Sequence, residues 1–216
     1  FYSPYIRLNG KRVVKAAYER DILPENNTAL EVIPQVITND ADEFLFVANY
    51  VQQFGYKELN WNLGCPYPMV AKCGMGSGLI NDAEKINEIL KRVHSESDIL
   101  VSMKMRLGYE NSEEILKVLP ILDTYPLKNI AIHARIGKQL YKGGVNLDAF
   151  QALEADAVFM GNTHRPFVSQ VLGKCVANVG SCGLPRDIGN LASCAIYDEA
   201  THKCQVYRIP FDAEKL

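Results

Sequence analysis

Two thiols, two amides and several glycines lie close together in residues 60–78, NWNLGCPYPMVAKCGMGSG. The amide of Asn62 can both donate to and accept from the edge of a heterocycle. Gly64 allows a sharp turn and Pro66 stiffens the chain after it, so we expect a fixed loop to present Cys65. Because most thiols are protonated at neutral pH, Cys65 can donate a proton to a substrate. A buried structural cysteine in a tight turn is the alternative interpretation.

Polar side chains also mark the ends of three other apolar runs. Lys104 and Arg106 lie two residues apart, so both side chains point to one side of a predicted strand. A buried pair of cations is costly unless an anion or an electron-rich ring lies beside it. His133 and Arg135 repeat this spacing, and Gln35 follows an earlier short run. A solvated edge strand, a core histidine and a turn glutamine are the corresponding structural alternatives.

Hydrophobic periodicity predicts the elements that carry these residues. Alternating short strands and amphipathic helices with short connections favour βαβ units and a parallel sheet. The predicted strands are residues 31–37, 56–63, 99–107 and 128–136, and the predicted helices are 41–54, 82–94 and 112–122. Chemistry in such folds gathers at the carboxyl ends of strands, which is where the polar residues fall.

Length and composition limit the fold and the partners. A complete (β/α)8 barrel takes about 250 residues, whereas this chain has 216. We therefore predict an α/β fold, a partial TIM-barrel-like parallel sheet of five or six strands with a small β-rich C-terminal segment. The net charge of −2 excludes a strong basic field, so a nucleic acid would have to bind a local patch. The absence of a long apolar run or a signal peptide, and six cysteines without a dense disulfide spacing, predict a reduced cytoplasmic protein.

The pattern changes near residue 150, and we predict two domains, 1–150 and 151–216. The second part reads as strands and turns without helices, over residues 156–160, 168–179 and 192–210. The strand at 157–160 is expected to lie parallel to residues 130–133.

The first part resembles the tRNA-dihydrouridine synthases, flavin enzymes on a TIM barrel. The matching pieces are Pro34-Gln35, Asn62-Leu-Gly-Cys-Pro66 with the glycine-rich loop after it, Lys104-Met-Arg106, and Ile132-His-Ala-Arg135 with Gln139 and Tyr141. The family's first strand and its phosphate-binding last strands have no counterpart in this sequence, which predicts weakened flavin binding.

This resemblance implies a chemistry and a set of roles. FMN, reduced by NADPH, would pass a hydride to a uridine of tRNA, and Cys65 would be the general acid. The implied flavin contacts are Gln35, Asn62, Lys104 and His133. The residues implied near the cofactor or the incoming base are Arg106, Arg135, Gln139 and Tyr141. The uridine must leave the RNA stack to reach such a site. A basic patch of Arg7, Lys11, Arg12 and Lys15 is expected either to contact phosphate or to be a solvated face.

Residues 155–216 resemble instead the C-terminal part of calcineurin-like metallophosphoesterases. In that family a Gly-His-x-His segment binds two metals, and here Asn162 stands at the first histidine position and His164 at the second. A metal-dependent phosphoesterase is therefore one alternative function, with Asn162 and His164 as its only candidate ligands. An inactive mosaic protein is the other.

Overall fold

The computed structural model describes residues 1–8, 10–28, 31–144, 146, 157–160, 165–171, 174–180, 188–198 and 200–210. Its contacts divide the chain into two units. The first consists of Phe1–Ala131 and Arg135–Val145, and the second of Ile132–Ala134 and Asn146–Leu216.

A five-stranded sheet is the frame of the α/β part. Its strands are β1 (Tyr2–Ile6), β2 (Ile33–Val36), β3 (Glu58–Leu63), β4 (Leu100–Gly108) and β5 (Ile130–Ile136), in the spatial order β1-β2-β3-β4-β5. The pairs β1–β2, β2–β3 and β3–β4 are parallel. The predicted α/β class and parallel sheet are therefore confirmed.

The helices follow the strands as the sequence predicts. They are α1 (Ala16–Ile22), α2 (Ala41–Gln52), α3 (Pro68–Ala71), α4 (Ala83–Glu96) and α5 (Ile115–Leu122). Asp40 and Asp82 cap α2 and α4, since their carboxylates accept from Glu43 N at 2.8 Å and Lys85 N at 2.9 Å. Sequence analysis missed β1, α1 and α3. β1 contains Pro4 and an irregular register, and α1 and α3 have only 7 and 4 residues.

The two faces of the sheet differ in chemistry. On β3, Leu59, Trp61 and Leu63 are fully buried, and the indole ring packs edge-on against Phe44 of α2 at 5.6 Å. The alternate residues of β3 and β4 are polar and point to the opposite face. A parallel strand covered by helices on both sides is normally apolar throughout, so the polar face is the one that carries the chemistry.

The second unit is β-rich. β6 (Ala157–Met160), β7 (Phe167–Val171) and β8 (Lys174–Asn178) form one sheet in the order β6-β8-β7, and β9 (Leu191–Asp198) pairs with β10 (Lys203–Pro210) in an antiparallel hairpin. β6 runs parallel to β8, so the predicted pairing of residues 157–160 with β5 is wrong. β7 and β8 form an antiparallel hairpin soon after β6 in the chain, and the free edge of β8 pairs with β6.

Candidate active site

Strand register brings five polar side chains together on one face of the sheet. Gln35 of β2 lies opposite Asn60 of β3. Asn60 and Asn62 lie opposite Ser102 and Lys104 of β4. Paired residues of parallel strands point the same way, so the five side chains form a continuous polar surface. Three of the flavin contacts implied by the resemblance, Gln35, Asn62 and Lys104, are therefore neighbours.

Four of these side chains form a hydrogen-bonded row, here called the amide chain. Asn62 Nδ2 donates to Gln35 Oε1 at 2.7 Å. Gln35 Nε2 donates to Asn60 Oδ1 at 2.7 Å, and Asn60 Nδ2 donates to Ser102 Oγ at 2.9 Å. All four residues are buried. Buried amides need such partners, so the amide chain fixes the orientation of each member.

The main chain of Cys65 is held from both sides. Oδ1 of Asn62 accepts from the N–H groups of Gly64 at 3.0 Å and Cys65 at 2.9 Å. The carbonyl oxygen of Cys65 accepts from Ser77 N and Ser77 Oγ, both at 3.0 Å. The thiol itself is half-buried, and its Sγ lies 3.9 Å from Tyr5 Oη. The loop therefore fixes the backbone and leaves the sulfur able to react.

Gly76 explains the glycine-rich loop. Its φ is +57°, and a Cβ atom there would lie 2.6 Å from the carbonyl oxygen of Cys65. Only glycine combines this conformation with such a close approach. The loop is thus shaped to support Cys65.

Lys104 is the exposed cation of this surface. Its pKa is lowered mainly by desolvation and also by nearby Arg106, while the charge of Cys65 acts in the opposite sense. A cation whose charge is disfavoured gains from an anionic or electron-rich ligand.

Arg106 is 1% exposed, and its donors bind main-chain carbonyls. Nε donates to Gly64 O at 3.0 Å, and Nη1 donates to Ile136 O at 2.9 Å and Leu140 O at 2.7 Å. Burial lowers its pKa. Arg106 therefore ties the loop of Cys65 to the segment after β5.

Tyr141 and Gln139 lie in that segment. The ring of Tyr141 is 64% exposed and its centroid lies 5.3 Å from the guanidinium carbon of Arg106. Gln139 Oε1 accepts from Ile136 N at 2.9 Å. The structure therefore brings Arg106 and Tyr141 together, with Tyr141 open to a ligand.

The other predicted residues stand as follows. Arg135 is buried and donates to Gly143 O through Nε at 3.3 Å and Nη2 at 2.9 Å. His133 is half-buried on β5, in the stretch Ile132–Ala134 that groups with the second unit. Asn162 and His164 lie outside the described residues. Within the described ranges, no group of three or more His, Cys, Asp or Glu is arranged to hold a metal ion.

Sequence analysis missed four residues of this surface: Tyr5, Asn60, Ser77 and Ser102. For Asn60 and Ser102 a signal exists, because each lies two residues before a predicted site residue in an otherwise apolar strand. Tyr5 gave no signal because its strand was not predicted.

Residues 2–159 match the family model described as dihydrouridine synthase (Dus). The chain belongs to the dihydrouridine synthase family. The match includes the polar surface and Cys65, and it confirms the first resemblance. It ends at residue 159, and the likeness of later residues to metallophosphoesterases stays a prediction.

Named relatives of the dihydrouridine synthase family support the same assignment. The chain is 29% identical to tRNA-dihydrouridine synthase B of Pseudomonas putida over 121 residues, 56% of this chain and 36% of that protein. It is 31% identical over 113 residues to a probable tRNA-dihydrouridine synthase of Staphylococcus epidermidis, 52% of this chain and 34% of that protein. The chain thus spans about a third of the length of these relatives. In the part of the chain that the structure describes, no helix is long and apolar enough to cross a membrane.

Proposed function

We propose that this chain takes part in the flavin-dependent reduction of a uridine in tRNA to dihydrouridine. The observation that carries the proposal is the fixation of Cys65 by Asn62 and Ser77, with its thiol left half-exposed. The names of the relatives supply the substrate class. Since tRNA and a nicotinamide reductant meet in the cytoplasm, we infer that the protein works there.

The polar surface fits the ring system of FMN. Gln35 and Asn62 each use one amide N–H in the amide chain. Each amide therefore has a second N–H that could donate to the edge of a heterocycle. The lowered pKa of Lys104 fits a cation that receives the negative charge of a reduced ring. Gln35, Asn62, Lys104 and His133 would hold the cofactor, which supplies the hydride when bound, with NADPH as the proposed reductant.

The chain's own residues would handle the proton and the base. Cys65 would donate its thiol proton to C5 of the uracil ring, so that an S–H bond breaks and a C–H bond forms. Arg106 keeps the loop of Cys65 in place through Gly64. The exposed ring of Tyr141 offers a stacking surface to the flipped base. Arg106, Arg135 and Gln139 are proposed near the cofactor or this base.

The test combines cofactor identification with turnover. Mass spectrometry of the ligand released on denaturation is expected to identify FMN, and the protein with FMN and NADPH is expected to form dihydrouridine in unmodified tRNA. Cys65→Ala should retain FMN and stop turnover. Cys73→Ala, which removes an exposed thiol that donates to Met69 O, is the control and should retain both FMN and turnover. Parent-like turnover by Cys65→Ala would refute the role of the thiol.

The alternative function, a metal-dependent phosphoesterase, is supported by sequence resemblance alone. It would belong to a proposed domain of residues 151–216, and the flavin chemistry to a proposed domain of residues 1–150. Metal-dependent hydrolysis of a generic phosphate ester that is lost in His164→Ala would support it. A protein inert in both assays would support an inactive mosaic.

A further inference from the structure

Tyr5 contacts the thiol that the proposed function uses. It lies on β1 opposite Gln35, so it extends the polar surface by one strand. Its Oη lies 3.9 Å from Cys65 Sγ, and the thiol S–H donates to this phenol oxygen. Both side chains pack against one apolar cluster, which consists of Ile37, Val70 and Met75. The contact is therefore built into the packing of the site.

The electrostatics of the pair keep the proton on Tyr5, so the phenol can donate once the thiol has lost its own proton. Desolvation raises the pKa of Tyr5, and the charge of Cys65 and a hydrogen bond to it raise it further. The phenol thus stays protonated at neutral pH. The titratable and charged groups that act on the pair are Arg7 and Tyr18 on the side of Tyr5, and Lys104 and Arg106 on the side of Cys65. A negative charge on the sulfur would therefore lie beside Lys104 and Arg106.

We propose that Tyr5 is the positioning residue for Cys65, aiming its sulfur and donating a hydrogen bond to the thiolate that forms when the thiol gives up its proton. The inference rests on the proposed function. In the step itself the Cys65 S–H bond breaks and the C5–H bond forms. The Tyr5 O–H bond stays intact, and water returns a proton to the sulfur afterwards.

The experiment measures alkylation of Cys65 in the full chain, without RNA or flavin. Peptide mass spectrometry follows the reaction with iodoacetamide over a series of pH values. In Tyr5→Phe we expect about three- to tenfold slower alkylation at neutral pH, because one donor to the thiolate is lost. The rates of variant and parent should converge at high pH, where the thiol ionises without help.

Tyr56→Phe is the matched control. Its hydroxyl is also half-buried and donates to Ile22 O at 2.7 Å, at a place distinct from the polar surface. It should leave the alkylation profile unchanged. Equal alkylation profiles for Tyr5→Phe and the parent would overturn the inference. A decrease in rate of the same size at every pH would also overturn it, because a merely structural role would produce that result.

A second measurement covers the case in which Tyr5→Phe does not fold. Cys65→Ala should lower the pKa of Tyr5, seen as earlier formation of phenolate absorbance in an alkaline titration. No difference from the parent would contradict the inference. Because alkylation and titration need no substrate, these results are independent of turnover. Parent-like turnover by Cys65→Ala would instead contradict the proposed function.

Discussion

The side-chain oxygen of Asn62 accepts a hydrogen bond from the main-chain N–H of Cys65 at 2.9 Å. The nitrogen of the same amide donates to Gln35 on the neighbouring strand. One side chain therefore couples the position of the thiol to the register of the sheet. This coupling predicts that substitutions in the amide chain will change the reactivity of the half-buried Cys65 sulfur.

Asn62→Ala is expected to lower the free energy of unfolding by about 2–3 kcal/mol, because three hydrogen bonds are lost and buried partners are left without a bond. Urea denaturation measures this loss, and alkylation of Cys65 should change as the loop relaxes. Asn39→Ala is the control, since the side chain of the half-buried Asn39 donates to Cys73 O at 2.9 Å and lies outside the amide chain. Equal stability of the two variants would contradict the prediction.

Gly76→Ala tests the close approach to Cys65. We expect a loss of about 3 kcal/mol, made up of the cost of positive φ and the cost of overpacking. Gly55→Ala isolates the first cost, because Gly55 also has positive φ, +87°, but open space around it. That control should lose about 1–2 kcal/mol. If urea or thermal unfolding gives the same loss of stability for both variants, the close approach of Gly76 to Cys65 does not contribute to stability.

Arg106→Lys tests the tie between the two loops. A lysine cannot serve three carbonyls in fixed directions, so we expect a loss of about 2–4 kcal/mol and faster proteolysis after β5. Arg92→Lys is the control, because the half-buried Arg92 forms its ion pairs with two surface carboxylates, Asp42 and Glu96. Its unfolding should stay close to that of the parent. Resistance of Arg106→Lys to protease would argue against the tie.

Lys104→Met is expected to improve stability and impair cofactor binding. At neutral pH the fold gains slightly, because a desolvated cation is removed. The gain should vanish as the pH rises toward 10.5, the ordinary pKa of lysine, since the unfolded parent then loses its proton too. Affinity for FMN, measured by quenching of its fluorescence, should fall about tenfold or more. Lys117→Met, on an exposed position of α5, should change neither.

The sequence predicted the elements well where local signals exist. The predicted helices 41–54 and 82–94 match α2 and α4, whose first turns are capped by Asp40 and Asp82. β1 was missed because Pro4 and a register irregularity break its alternation. The second unit was expected to be β-rich, but the partner of β6 depends on contacts that no local pattern encodes.

The site was predicted by residue type more than by geometry. Asn62, Cys65 and Lys104 were identified from their spacing, and the structure places Asn62 opposite Lys104 and bonds it to the main chain of Cys65. The bonds of Arg106 were not predictable, since its carbonyl partners Gly64 and Ile136 lie 42 and 30 residues away. Such distant pairings follow from the tertiary fold and not from any local pattern.

The amide chain can run in only one direction. Its first oxygen, on Asn62, is bound by two main-chain N–H groups, which cannot become acceptors. Each amide then dictates the orientation of the next, as far as Ser102. A ligand therefore meets a fixed order of donors and acceptors along the amide chain. A ring with the reversed order cannot bind, because the amides cannot rotate to match it.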